Sequence, residues 1–156
     1  GRRRIAFLGD ASDHAPEFQD RYDGLCRAMR AAGLEPDPAL QRDAVSSEDS
    51  GYAAARSLIE SGRSFDAVFA ASDLIAIGAM RAQAEAGLRL PQDVAIIGFD
   101  DIPAASLTTP TLTTVMQDMK GAGTLLVDAL LARIDDRPVE QRILPARLIR
   151  RQSTAV

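Results

Sequence analysis

Four times along the chain a short apolar run alternates with a stretch of helical period, and that alternation leaves few folds open. Ile5-Ala6-Phe7-Leu8, Ala67-Val68-Phe69-Ala70 and Val94-Ala95-Ile96-Ile97 are too short for helices and apolar throughout. Such runs read as strands buried on both faces. A fourth, weaker strand is expected around Leu40, after Pro36 and Pro38. Between the strands, Phe18, Tyr22, Leu25, Met29 and Ala32 recur at spacings of four and three, which places them on one helical face ending at Gly33. A second helix is expected from Ser50, with Tyr52, Ala55, Leu58 and Ile59 inward and Gly62 at its close. Ser72-Asp73 caps a third helix, which carries Ile77, Met80 and Ala84 and stops at Gly87. Strand–helix alternation of this kind predicts an α/β fold: a three-layer arrangement with a parallel sheet flanked by helices and joined by right-handed crossovers.

The rhythm changes after position 112. Leu112 to Met116 reads as extended and β-branched, and a helix is expected over 120–135. Ile143-Leu144 and Leu148-Ile149 then read as two short strands, with Pro145 at an edge or bend. In the late helix, Leu125, Leu126, Val127, Ala129, Leu130, Leu131 and Ile134 cover more than half of the circumference, whereas a surface helix needs an apolar stripe of only ~100°. Either this helix docks deep in its own domain, or part of its surface belongs to a partner domain or subunit.

Composition excludes several function classes. The net charge is −4, and a free-standing nucleic-acid binder needs a basic face to release phosphate counterions. Arg2-Arg3-Arg4 is a concentrated basic run, but it reads as a solvated lead-in to the first strand. The single cysteine, Cys26, rules out an internal disulfide and a cysteine zinc cluster, and it suits a reducing compartment. No apolar run approaches the ~20 residues of a membrane span, and the start does not read as a signal segment. A Ser-His-Asp triad would have to use His14, the only histidine, in a loop before Pro16. Phosphate-loop and dinucleotide-binding glycine patterns are missing. Metal ligation would have to be all carboxylate, with Asp100-Asp101 the best pair. Neither enzyme chemistry nor a cofactor or metal is expected.

Binding is a different matter. Open parallel sheets take ligands beyond the carboxyl ends of their strands. Here those ends carry Gly9-Asp10, Ala71-Ser72-Asp73 and Gly98-Phe99-Asp100-Asp101. An Asp after a strand commonly caps the next turn, but three polar ends on one sheet edge favour a hydroxyl-rich or otherwise polar ligand.

Several segments also resemble a known family. Phe69-Ala70-Ala71-Ser72-Asp73-Leu74-Ile75-Ala76-Ile77-Gly78-Ala79, Pro91-Gln92-Asp93-Val94-Ala95-Ile96-Ile97-Gly98-Phe99-Asp100-Asp101 and Pro110-Thr111-Leu112-Thr113-Thr114-Val115-Met116-Gln117 are similar, in order, to motifs of lactose/galactose-repressor (LacI/GalR) transcription regulators. Arg21-Tyr22-Asp23-Gly24 and the stretch from Leu144-Pro145 to Ser153 fit the same pattern. The resemblance implies the C-terminal part of a two-lobed, periplasmic-binding-protein-like sensor. In it, residues 1–112 would be the C-terminal lobe, 113–139 a crossover and helix belonging to the other lobe, and 140–156 the returning strands. A preceding lobe and a helix-turn-helix headpiece would lie outside this chain. The implied partners are a small sugar-like effector, operator DNA through that headpiece alone, and a second subunit in a homodimer, in the cytoplasm and away from membranes. A secreted sugar-binding protein of a transport system is the alternative.

Residue by residue, the resemblance implies that Arg21 clamps ligand hydroxyls or a carboxylate. Asp100 would accept from hydroxyls, and Gln117 would contact ligand or lock the crossover. Ser72 stands where many members have Asn, shortening an amide contact to a hydroxyl. Asp73 would cap its helix and Asp101 would be structural. Ser46 falls where the family often places a stacking aromatic, a departure that argues against a flat sugar platform. Glu17, one turn before Arg21, either reaches the same cleft or stays on the solvated helix face.

Overall fold

The computed structural model describes residues 1–155. Among them, strands β1 (Ile5–Leu8), β2 (Gln41–Arg42), β3 (Ala67–Ala70), β4 (Ala95–Asp100), β5 (Thr113–Met116) and β6 (Arg147–Ile149) form one sheet in the order β2-β1-β3-β4-β5-β6. Every pairing is parallel except the last, where β6 runs antiparallel to β5 with Thr114 opposite Ile149. The helices are α1 (Pro16–Ala31), α2 (Glu48–Glu60), α3 (Asp73–Glu85) and α4 (Met119–Ile134). Because β1 steps one way to β2 and the chain then crosses back to β3 and β4, right-handed connections put α1 on one sheet face and α2 with α3 on the other. The expected α/β architecture is therefore present.

Gly33, Gly62 and Gly87 take positive φ at or beside the ends of α1, α2 and α3, as their placement after the apolar periodicity implies. Three details differ from what the sequence predicts. Helix α2 begins at Glu48 rather than Ser50, because the Ser47 side chain accepts from Ser50 N at 3.2 Å and caps it. Glu48 and Asp49 then fill the first turn, where carboxylates meet the positive end of the helix dipole. Strand β4 runs on through Gly98 to Asp100. Residues 143–144 form no strand; only Arg147–Ile149 pairs, so the return to the sheet is one strand and not two. Strand β5 pairs with β4 inside this sheet, with Thr113 and Thr114 buried.

The core fills the space between the sheet and α2–α3. Leu8, Leu58, Val68, Ile75, Ile96 and Leu112 are all buried there. The two helices touch backbone to backbone: a Cβ on Gly78 would collide with the main chain of Glu48, and one on Gly51 with that of Ile75. Glycine at these positions sets the interhelix distance. Helix α4 is the opposite case, since none of its residues is buried and Leu126, Leu130 and Ile134 are well over half exposed. Of the two readings of this helix, docking deep in its own domain is thereby excluded.

A pair of alanine substitutions separates packing from propensity. Gly78→Ala is expected to lower unfolding free energy by about 1–3 kcal/mol through overpacking. Gly123→Ala, which meets nothing within 4 Å, is expected to be neutral or to stabilise α4 by up to about 1 kcal/mol. Urea denaturation monitored by circular dichroism measures both.

Candidate ligand-binding site

Strand alternation divides the side chains of the sheet. Ala67, Phe69, Ala95, Ile97, Phe99 and Val115 point to the α1 face, while Gly98 faces α3, where its missing side chain leaves room for the Asp73 carboxylate. Helix α1 packs over β1, with Tyr22 against Phe7 at 5.1 Å between ring centroids, and Phe7 meets Phe69 edge-on at 5.7 Å. Over β3, β4 and β5 the same face stays open as a cleft of about 700 Å³. Its lower wall is aliphatic. Its upper end, at the carboxyl ends of the strands, carries Glu17, Arg21 and Gln117.

Arg21 is held from two sides. Its guanidinium lies 3.8 Å from the Phe99 ring centroid, and Nη1 donates to Ala71 O at 2.5 Å. A planar cation stacked on an aromatic face is fixed in orientation and leaves donors for a ligand. Burial lowers its pKa, while Asp100 and Glu17 favour the charged form. Asp100 is half-buried and accepts from Gln117 Nε2 at 3.1 Å. Its carboxyl is pushed above the usual range, first by burial and against the pull of Arg21 and the Gln117 bond.

Ser46 and Ser72 also come together. The exposed Ser46 hydroxyl donates to Ser72 Oγ at 2.9 Å. Ser72 itself is 1% exposed and caps α3, accepting from Ile75 N at 3.4 Å. The cap is therefore Ser72 and not Asp73, which corrects the role expected of the aspartate. Asp73, fully buried, instead accepts from Ile102 N at 2.9 Å and from the Thr114 hydroxyl at 2.6 Å. Of the six residues predicted, Glu17, Arg21 and Gln117 line the cleft. Asp100 reaches it through Gln117, and the Ser46–Ser72 pair adjoins it through Ala71, whose carbonyl Arg21 holds. The sequence reading missed Phe99 as the platform under Arg21; its period-2 offset from Ile97 was the available signal.

Backbone strain concentrates at the same edge. Asp100 and Asp101 have φ of 112° and 57°, consecutive left-handed residues that are neither glycine nor asparagine. Such conformations cost about 1–3 kcal/mol each and persist only where the surroundings enforce them.

Known proteins match this geometry. The chain matches the model of the periplasmic binding protein-like domain over residues 1–154. It is 37% identical over 149 residues to the HTH-type transcriptional regulator CelR of Thermobifida fusca, covering 96% of this chain and 42% of that protein. The solved CelR–cellobiose complex superposes with a TM-score of 0.92 at 35% identity, over 98% of this chain and 47% of that one. A lac repressor dimer bound to operator and the anti-inducer ONPF gives 0.91 at 31%, over 100% and 47%. The fold is that of a periplasmic-binding-protein-like α/β domain with an open cleft on one sheet face. The chain belongs to the periplasmic-binding-protein-like family, and over nearly its whole length it is similar to transcription regulators of the LacI type. It spans less than half the length of the CelR regulator it matches.

Asp73 gives a pH test. A buried carboxyl whose folded pKa lies above its unfolded one loses stability as pH rises from the ordinary range through the raised value. Urea unfolding of wild type and Asp73→Asn between pH 3.5 and 7 should show wild type most favoured at the acid end. A difference that does not vary with pH would mean that Asp73 does not titrate within this window.

Proposed function

We propose that this chain is the effector-binding and dimerisation part of a LacI-type transcriptional regulator. In this reading it senses a small polar ligand in the cleft and controls a helix-turn-helix headpiece that lies outside the chain. The observation that carries the reading is the convergence of a stacked Arg21, a strained Asp100 and Gln117 at the carboxyl edge of a parallel sheet. Arg21, Glu17 and Gln117 contact the effector from the cleft, Asp100 accepts from its hydroxyls, and Ser46 offers a hydroxyl backed by Ser72. The donor and acceptor set suits a sugar or related metabolite; the CelR relative was solved with cellobiose. Such recognition needs no proton or bond transfer, so the role is non-catalytic, and a transcription regulator acts in the cytoplasm. A transport binding protein is the weaker reading, because the relatives named above are transcription regulators.

Control follows from differential affinity. An effector shifts lobe arrangement only as far as it prefers one arrangement, typically by about 1–3 kcal/mol. The exposed apolar surface of α4 and the open sheet face over Phe69, Ile97 and Val115 are what the rest of the polypeptide covers in this reading. Residues 117–139 then form the excursion into the other lobe, and β6 returns to this one. Dimerisation sets two headpieces on one palindromic site.

Two measurements test this. Thermal-shift screening of cellobiose, ribose and other sugars against the complete regulator should give a hit whose affinity falls at least ten-fold in Asp100→Ala and in Arg21→Met. Unchanged affinity in both would place the site elsewhere. Chain 1–156 alone should self-associate in light scattering through α4, and Leu126→Glu with Leu130→Glu should return it to a monomer. A wild-type chain that is already monomeric would remove the support that α4 gives to the two-lobe reading.

A further inference from the structure

Arg151 and Asp101 stand next to the site without lining the cleft. Arg151 Nη2 donates to Asp101 Oδ1 at 2.7 Å and its Nη1 to Leu112 O at 2.8 Å; the two side chains are 19% and 18% exposed. On its inner side, Asp101 N donates to Thr114 Oγ1 at 3.3 Å, and the same hydroxyl donates to Asp73. One residue further on, Ile102 N is held by Asp73 Oδ2. The left-handed pair is therefore clamped on both sides. Asp100 cannot relax its φ of 112° without breaking the ion pair or the buried carboxylate bonds.

Arg151 is itself fixed to the strand core. Its N–H donates to Thr113 Oγ1 at 2.8 Å, and the neighbouring Ser153 is buried with its hydroxyl donating to Ile96 O at 2.6 Å. It lies two residues beyond β6, the strand by which the chain returns after α4.

Resting on the effector-site reading above, we infer that Arg151 and Asp101 are positioning residues. Their ion pair fixes the backbone that aims Asp100 at the ligand, and it makes that aim depend on the seating of the returning strand. A pull on β6 from the α4 side displaces Arg151 first, then the Asp101 carboxylate, then Asp100. This provides a route from lobe movement to ligand contact in which neither residue touches the ligand.

The test uses the full chain with carbonyl-labelled aspartate, following the Asp100 carboxyl and the Gln117 side-chain amide by NMR titration. In wild type the Asp100 carboxyl titrates above the ordinary range. Arg151→Met is expected to move the Asp100 titration away from its wild-type position, because the burial and the Gln117 bond that set it both change, and to shift the Gln117 side-chain amide toward the position of free glutamine. Arg150→Met, at an exposed neighbour, removes the same charge and should change neither. Should Arg151→Met not fold, Asp101→Gly carries the same measurement, since glycine tolerates the left-handed backbone without the carboxylate. Wild-type Asp100 titration and Gln117 shifts in a folded variant, with only thermal stability lowered, would overturn the proposal. Neither signal needs a ligand. If Asp100 responds as expected in a regulator that binds no sugar, the positioning of Asp100 stands and the effector-site reading fails.

Discussion

A fully buried carboxylate organises the working edge of this lobe. Asp73 opens α3, yet its side chain leaves the helix to hold Ile102 N at the end of β4 and the Thr114 hydroxyl of β5. Burial of an ionised group without such partners would cost several kcal/mol, so the carboxyl is kept either bonded or protonated. Space for it exists only because β4 has glycine at position 98. One side chain thus ties together a helix start and two strand ends, and the strained Asp100-Asp101 pair sits directly above that tie.

Much of the fold is legible in local pattern. Runs such as Ile5–Leu8 and Ala67–Ala70 are buried on both faces, so their apolarity needs no knowledge of neighbours. Helix ends at Gly33, Gly62 and Gly87 follow from the φ that only glycine adopts cheaply. The errors fall where tertiary partners decide. Residues 143–144 have strand composition but no strand to pair with, whereas Leu148 lies opposite Val115 and forms β6. Ser50 looked like a helix start because Ser47, three residues earlier, is an equally ordinary serine; which of them caps depends on the approach of the preceding loop.

The candidate site divides in the same way. Asp100 stands out at a strand end, Arg21 and Gln117 are implied by the resemblance to LacI/GalR motifs, and the structure sets all three at one sheet edge. Roles that depend on which way a side chain turns were not recoverable. Ser72 and Asp73 are adjacent and both can cap a helix; the cap expected of Asp73 is made by Ser72, and Asp73 turns to Ile102 and Thr114 instead. Arg151 lies 50 residues from Asp101, and no periodic signal in the sequence joins them.

Helix α4 shows why the lobe cannot be understood by its core alone. A helix apolar around most of its circumference belongs in a protein interior, yet here Leu126, Val127, Leu130 and Ile134 face solvent. Its flanking strands are nevertheless well anchored, with β5 parallel to β4 and β6 antiparallel to β5. An unburied element between two seated strands is the geometry of a lever, because force on the helix is borne by strands whose ends lie beside Asp100 and Arg151. On the proposed reading, ligand recognition and lobe position therefore share the same few hydrogen bonds.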